Sequence, residues 1–127
     1  MRLFIVRHAE AAPGEPDALR PLTAAGREVA RATGERLAPA RPDAVLCSPL
    51  LRARETASLI ARPAGLEPEA DDRLAPGATA AATRELAADR GETVIVVGHQ
   101  PDCSEIVLEL AGRETTFAPG AVVEVEL

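Results

Sequence analysis

With 127 residues, 46% of them hydrophobic and 27% charged, the chain has the balance of one globular domain, which excludes a disordered polypeptide and an integral membrane protein. Its 14 basic against 20 acidic residues leave a net charge of -6, so a phosphorylated ligand would have to be drawn by a local cluster of arginines. Trp and Tyr are absent and Phe occurs twice, which removes the stacking platforms that single-stranded nucleic acid needs and excludes it as a partner.

Taken in chain order, Arg2 to Val6 is a continuous apolar run, the pattern of a strand covered on both faces. The Pro- and Gly-bearing stretch Ala11 to Pro21 reads as a loop. Thr23 is a good N-cap for a helix through Gly26, Val29, Ala30, Thr33 and Leu37, which Pro39 ends. Ala44 to Cys47 is a short strand, entered from Arg41-Pro42-Asp43 and stopped at Ser48-Pro49. A second helix is expected to use Ser48 as its N-cap and Pro49 as its first residue, with Leu50, Ala53, Ala57 and Ile60 on one stripe.

Another short strand is expected near Leu66 to Ala70, then a loop over Arg73 to Gly77 and an alanine-rich helix from Thr79 to Asp89. Thr93 to Val97 repeats the continuous apolar pattern of the first strand. The helix after Pro101 places Cys103, Ile106, Val107 and Leu110 on one face and closes at Gly112. Ala121 to Leu127 alternates valines with Glu124 and Glu126, as an edge strand with one wet face does.

Strands alternating with helices imply βαβ crossovers, hence an α/β fold with a helix-covered, mostly parallel sheet and a C-terminal edge strand. No repeat or linker divides residues 1–127, so one domain is expected. The runs Leu3 to Val6 and Val94 to Val97 are too short to span a bilayer, and no membrane partner is expected. Cys47 and Cys103 lack paired or metal-ligand spacing and read as free thiols; with no leader pattern at the start, a cytoplasmic location is expected.

In sheets of this kind ligands gather beyond the carboxyl ends of the strands. Both histidines of the chain stand there: His8 follows Arg7 at the end of the first strand, and His99 follows Gly98 at the end of the Thr93 strand. Arg52 falls in the first turn of the second helix, whose amino end faces the same edge and suits phosphate. Arg7 and Arg52 could then hold the oxygens of one phosphoryl group through charge-assisted bonds. Either arginine alone would read as a solvated surface charge.

These residues bring the chain into resemblance with the histidine phosphatase superfamily, also called phosphoglycerate mutase-like. Arg7-His8-Ala9 resembles its opening R-H-G motif, and Leu22-Thr23-Ala24-Ala25-Gly26 resembles its L-T-x-x-G helix start. Ser48-Pro49-Leu50-Leu51-Arg52-Ala53-Arg54-Glu55-Thr56 is similar to its S-P-x-x-R-A-x-x-T segment, and Val97-Gly98-His99 to its last block. The resemblance implies a three-layer α/β/α sandwich, His8 as phosphoryl-accepting nucleophile, Arg7 and Arg52 as phosphoryl ligands, and His99 completing the pocket. It implies no metal and no cofactor.

Two departures stand out. Ala9 replaces the usual glycine, as in small SixA-type phosphohistidine phosphatases. The family's general acid has no evident counterpart: Gln100 follows His99, and Arg73 to Gly77 holds no carboxylate. Asp72, Asp102 and Glu10 are candidates, each equally readable as a loop, helix-start or solvent-facing carboxylate.

The expected activity is thus dephosphorylation through a phosphohistidine on His8. The compact chain has no room for a large lid and resembles the SixA type, whose substrate would be a phosphorylated protein such as a histidine phosphotransfer domain. A phosphomonoesterase acting on a small phosphorylated metabolite is the same-family alternative. A phosphate-binding module without turnover is the alternative from another class.

Overall fold

The computed structural model describes all residues 1–127. Five strands, β1 (Arg2–Arg7), β2 (Ala44–Cys47), β3 (Pro68–Ala70), β4 (Thr93–Gly98) and β5 (Val122–Glu126), form one sheet in the order β3-β2-β4-β1-β5. The first four are parallel to their neighbours, and β5 runs antiparallel to β1. Four helices, α1 (Ala24–Leu37), α2 (Leu51–Ala61), α3 (Ala80–Ala88) and α4 (Asp102–Ala111), cover the two faces. None is long and apolar enough to cross a membrane.

The continuous apolar runs follow from this layering. Successive strand residues point to opposite faces, so a strand covered on both sides needs an apolar residue at every position. Phe4 and Val6 join Val45, Cys47, Ile95 and Val97 under Leu37 and the α2 residues Ala53, Ala57 and Ile60. Leu3 and Ile5 join Leu46, Val94 and Val96 under Leu86, Ile106 and Val107 of the other helix layer. β5 lies at the edge, with Val125 buried and Glu124 and Glu126 exposed, so it has the wet face its alternation implies.

Two of the four helices are capped by side chains. The Thr23 hydroxyl accepts from Gly26 N and caps α1, and Thr79 caps α3 in the same way through Ala82 N. Gly34 lies where α1 meets α2: a Cβ there would stand 2.8 Å from the Leu59 carbonyl oxygen, so only glycine permits that approach. Neither α4, which follows Pro101, nor α2, which begins at Leu51 with Leu50 as its N-cap, has a capping side chain. Ser48 does not cap α2. Its N–H donates to Val97 O across the sheet at 3.1 Å, which keeps the chain extended past the end of β2.

Candidate functional site

The register Arg7↔Gly98 aligns the carboxyl ends of β1 and β4, and His8 N donates to Gly98 O at 2.9 Å one step beyond. The two imidazoles therefore meet, with ring centroids 5.3 Å apart and planes tilted by 60°. On the other side of β4, the end of β2 delivers Ser48, whose hydroxyl lies 2.8 Å from His99 Nε2. Three adjacent strand ends thus contribute Ser48, His99 and His8 in a row.

Hydrogen bonding sets the proton on the His8 ring. His8 Nδ1 lies 2.7 Å from Ala9 O, and a carbonyl can only accept, so Nδ1 carries the hydrogen and Nε2 keeps a lone pair. Ser48 Oγ accepts from Leu50 N at 3.2 Å. With one lone pair still free, that hydroxyl can donate to His99 Nε2 or accept from it, according to the tautomer of the ring.

Burial lowers the His8 pKa, and the Arg52, Arg7 and Arg20 charges lower it further, against the Ala9 hydrogen bond. His99 is pushed down to about 4 by burial, then by His8 and Arg52. Both rings are neutral at neutral pH.

The backbone after His8 is held from α2. Ala9 N donates to Thr56 Oγ1 at 3.0 Å, and the Thr56 hydroxyl donates to Arg52 O at 2.8 Å within the helix. Ala9 is fully buried against Leu22, Ala30 and Leu59 and has no positive φ, so its Cβ fills space that a glycine would leave empty. Gly26 does need to be glycine: any Cβ there would run into Glu10 O, which accepts from Thr23 N at the start of α1.

The arginines reach the same place from different elements. Arg7, at the end of β1, donates through Nη1 to Phe117 O at 2.8 Å, and its buried Nε has no protein partner. Arg52, in the first turn of α2, is 93% buried and donates to Asp17 twice, to the main-chain O at 2.9 Å and to Oδ2 at 3.2 Å. The four residues singled out in the sequence are therefore assembled at one sheet edge.

The three candidate acids make their hydrogen bonds elsewhere or stand in solvent. Glu10 is exposed and accepts from the Thr23 hydroxyl at 2.7 Å. Asp72 is exposed in the single turn Asp72–Leu74. Asp102 is buried and accepts from Gly77 N at 2.9 Å and Ala78 N at 3.3 Å, tying down the approach to α3; its charge is felt by His99. Asp17 and Arg20 escaped the sequence reading, although Arg20 directly precedes the Pro21-Leu22-Thr23 segment.

Arg52 and His99 are buried, and Arg7 and His8 are half-buried. The largest cleft, about 520 Å³ beside α2 and β3, is lined by Arg27, Arg54 and Arg62 among others and includes none of the four. Cys47 and Cys103, buried and free, have thiols raised to about 11 and about 12 by burial and offer no reactive thiolate.

Comparison with known proteins bears on this geometry. Residues 3–76 match the model of the histidine phosphatase superfamily (branch 1). An uncharacterized protein of Picosynechococcus sp. is 34% identical over 125 residues, spanning 91% of this chain and 76% of that protein. The structure of the protein histidine phosphatase SixA complexed with tungstate is similar with a TM-score of 0.88 at 30% identity, covering 100% of this chain and 88% of that one. A mycobacterial glucosyl-3-phosphoglycerate phosphatase shares the fold, with a TM-score of 0.76 at 19% identity over 97% of this chain and 88% of that one.

Proposed function

The chain belongs to the histidine phosphatase superfamily and is a phosphatase, and from that premise we propose that it hydrolyses phosphohistidine on a protein through a phosphohistidine intermediate on His8. The observation that carries the reading is the state of His8. Its ring is neutral, its Nδ1–H is spent on Ala9 O, and its Nε2 lone pair is free beside two arginines.

In the first step the Nε2 lone pair of His8 forms a bond to phosphorus while the bond to the leaving group breaks. Arg7 and Arg52 offset charge on the phosphoryl oxygens, the main demand of such a transfer. Water then attacks phosphorus, the P–N bond to His8 breaks with its electrons returning to Nε2, and phosphate leaves with the proton balance made by solvent.

Substrate class follows from the leaving group. An alkyl phosphomonoester departs as an alkoxide and needs a proton from the enzyme. Neither His8 nor His99 has a carboxylate hydrogen-bond partner, Glu10 and Asp102 bond elsewhere, and Asp17 at the rim is held by Arg20 and Arg52, which lower its pKa and suit it poorly to giving up a proton at neutral pH. Phosphohistidine departs as imidazole, which can take its proton from water. The absence of an added lid between the elements also suits a side chain presented on another protein, such as a histidine phosphotransfer domain.

The likeness to the SixA structure at 30% identity supports the same reading. Catalytic efficiency toward a phosphohistidine-bearing domain is expected to exceed that toward alkyl phosphomonoesters by at least about tenfold, roughly 1.4 kcal/mol in barrier. Equal or reversed efficiencies would favour the small-metabolite phosphomonoesterase, a reading supported by Asp102 lying near enough for its charge to act on His99. Absence of both His8 labelling and phosphate release would indicate a binding module.

A further inference from the structure

The loop from Ala11 to Pro21 supplies none of the four residues above, yet it sends two charged side chains to their rim. Asp17 Oδ2 and main-chain O accept from Arg52, and Asp17 Oδ1 accepts from Arg20 Nη1 at 3.1 Å. Arg20 is held in turn by Ala12 O, which accepts from its Nε at 2.8 Å. One carboxylate therefore bridges two guanidinium groups.

This differs from an ordinary surface ion pair, which contributes little because both partners stay hydrated and mobile. The Arg52 side chain is only 9% exposed, against 63% for Asp17, so Asp17 reaches in from solvent to a buried arginine. A guanidinium has five N–H donors. Asp17 occupies two on Arg52, and the loop occupies two on Arg20, leaving three on each for another acceptor. Arg20 also acts on the site at present: its charge is among those that lower the His8 pKa.

We infer that Asp17 is a positioning residue that orients Arg52 and Arg20 together, and that Arg20 is a third anion-binding arginine of the phosphoryl pocket, recruited from the loop. This rests on the reading of His8, Arg7 and Arg52 as that pocket. Loss of the carboxylate has two opposed effects on a bound oxyanion. Removing a negative charge favours the anion, the more so because Asp17 lies 3.2 Å from the buried Arg52. Freeing two long side chains, each of which then has its rotamer entropy to lose on binding, disfavours it, and the inference requires this second effect to prevail.

Inhibition by vanadate, a phosphoryl mimic, tests the inference on the full chain. Asp17→Ala and Arg20→Gln are each expected to raise the inhibition constant about five- to tenfold with an unchanged thermal midpoint. Asp17→Asn, which keeps an acceptor oxygen, should recover part of the loss. The double variant should be little worse than either single one, since both break one unit. Arg20→Gln should also raise the His8 pKa read by NMR titration, a change that a merely structural role would not produce.

Unchanged or tighter vanadate inhibition in folded Asp17→Ala, or additive losses in the double variant, would overturn the inference while leaving the pocket intact. Failure of vanadate to inhibit the unsubstituted protein would overturn the pocket and the inference together.

Discussion

The two flanks of the site are built by different physical means. On one flank, the ends of β2, β4 and β1 present Ser48, His99 and His8. The sheet ladder sets their spacing: neighbouring strands lie about 4.8 Å apart, and the imidazole centroids lie 5.3 Å apart. On the other flank, Asp17 and Arg20 arrive on a loop tied at its base by Ala12 N donating to Pro21 O at 2.8 Å and by the isolated bridge between Ala11 and Leu22. The strand flank is fixed by many backbone bonds that no side-chain replacement removes. The loop flank depends on a few side-chain bonds that can be lost one at a time. Replacements on the first should therefore alter chemistry and spare geometry, whereas those on the second should alter geometry.

The largest effect is expected at His8. His8→Ala should lower turnover and acid-labile phosphate labelling by at least about a thousandfold while the thermal midpoint stays within a few degrees, because the ladder around residue 8 does not use the ring. A variant that keeps its activity would end the strand-flank account. Next come the two arginines. Arg7→Ala and Arg52→Ala should each weaken vanadate inhibition by roughly 10- to 150-fold, the equivalent of about 1.5 to 3 kcal/mol for a hydrogen bond to a charged group. The comparison sharpens if Asp17→Ala lessens the effect of a further Arg52→Ala and leaves that of Arg7→Ala intact, since Arg7 is held by Phe117 O and not by the loop.

Thr56→Ala tests the link between the flanks. It leaves the buried Ala9 N–H without its acceptor, which should reduce stability by about 1 to 3 kcal/mol in urea titration, whereas Thr56→Ser should retain most of it. A smaller effect concerns pH. His8 and His99 have folded-state pKa values below the ordinary 6.5, His99 at about 4, so the unfolded chain binds more protons between those values. Stability should therefore be fully present above about pH 6.5 and fall as pH drops toward 4. Urea titration at both ends checks the sign, and His99→Gln should flatten the slope.

Much of the fold and half of the site can be read from the chain alone, because their signals are local. The unbroken apolar runs of β1 and β4 state that both sheet faces are covered, as Phe4 and Val6 on one side and Leu3 and Ile5 on the other show. Once the strand ends are known, His8, His99 and Arg7 fall at the ligand-binding edge by succession, and Arg52 by its place in the first turn of α2.

Tertiary structure decided the rest. Ser48 before Pro49 has the local chemistry of a helix cap, but the β4 carbonyl of Val97 takes its N–H and His99 pairs with its hydroxyl, so the helix starts later. Asp17 and Arg52 are 35 residues apart, and Arg7 and Phe117 are 110 apart. Such pairs leave no periodicity in the chain. They exist because the packed sheet has already borne the entropy of bringing distant segments together, after which single hydrogen bonds suffice to choose which side chains meet.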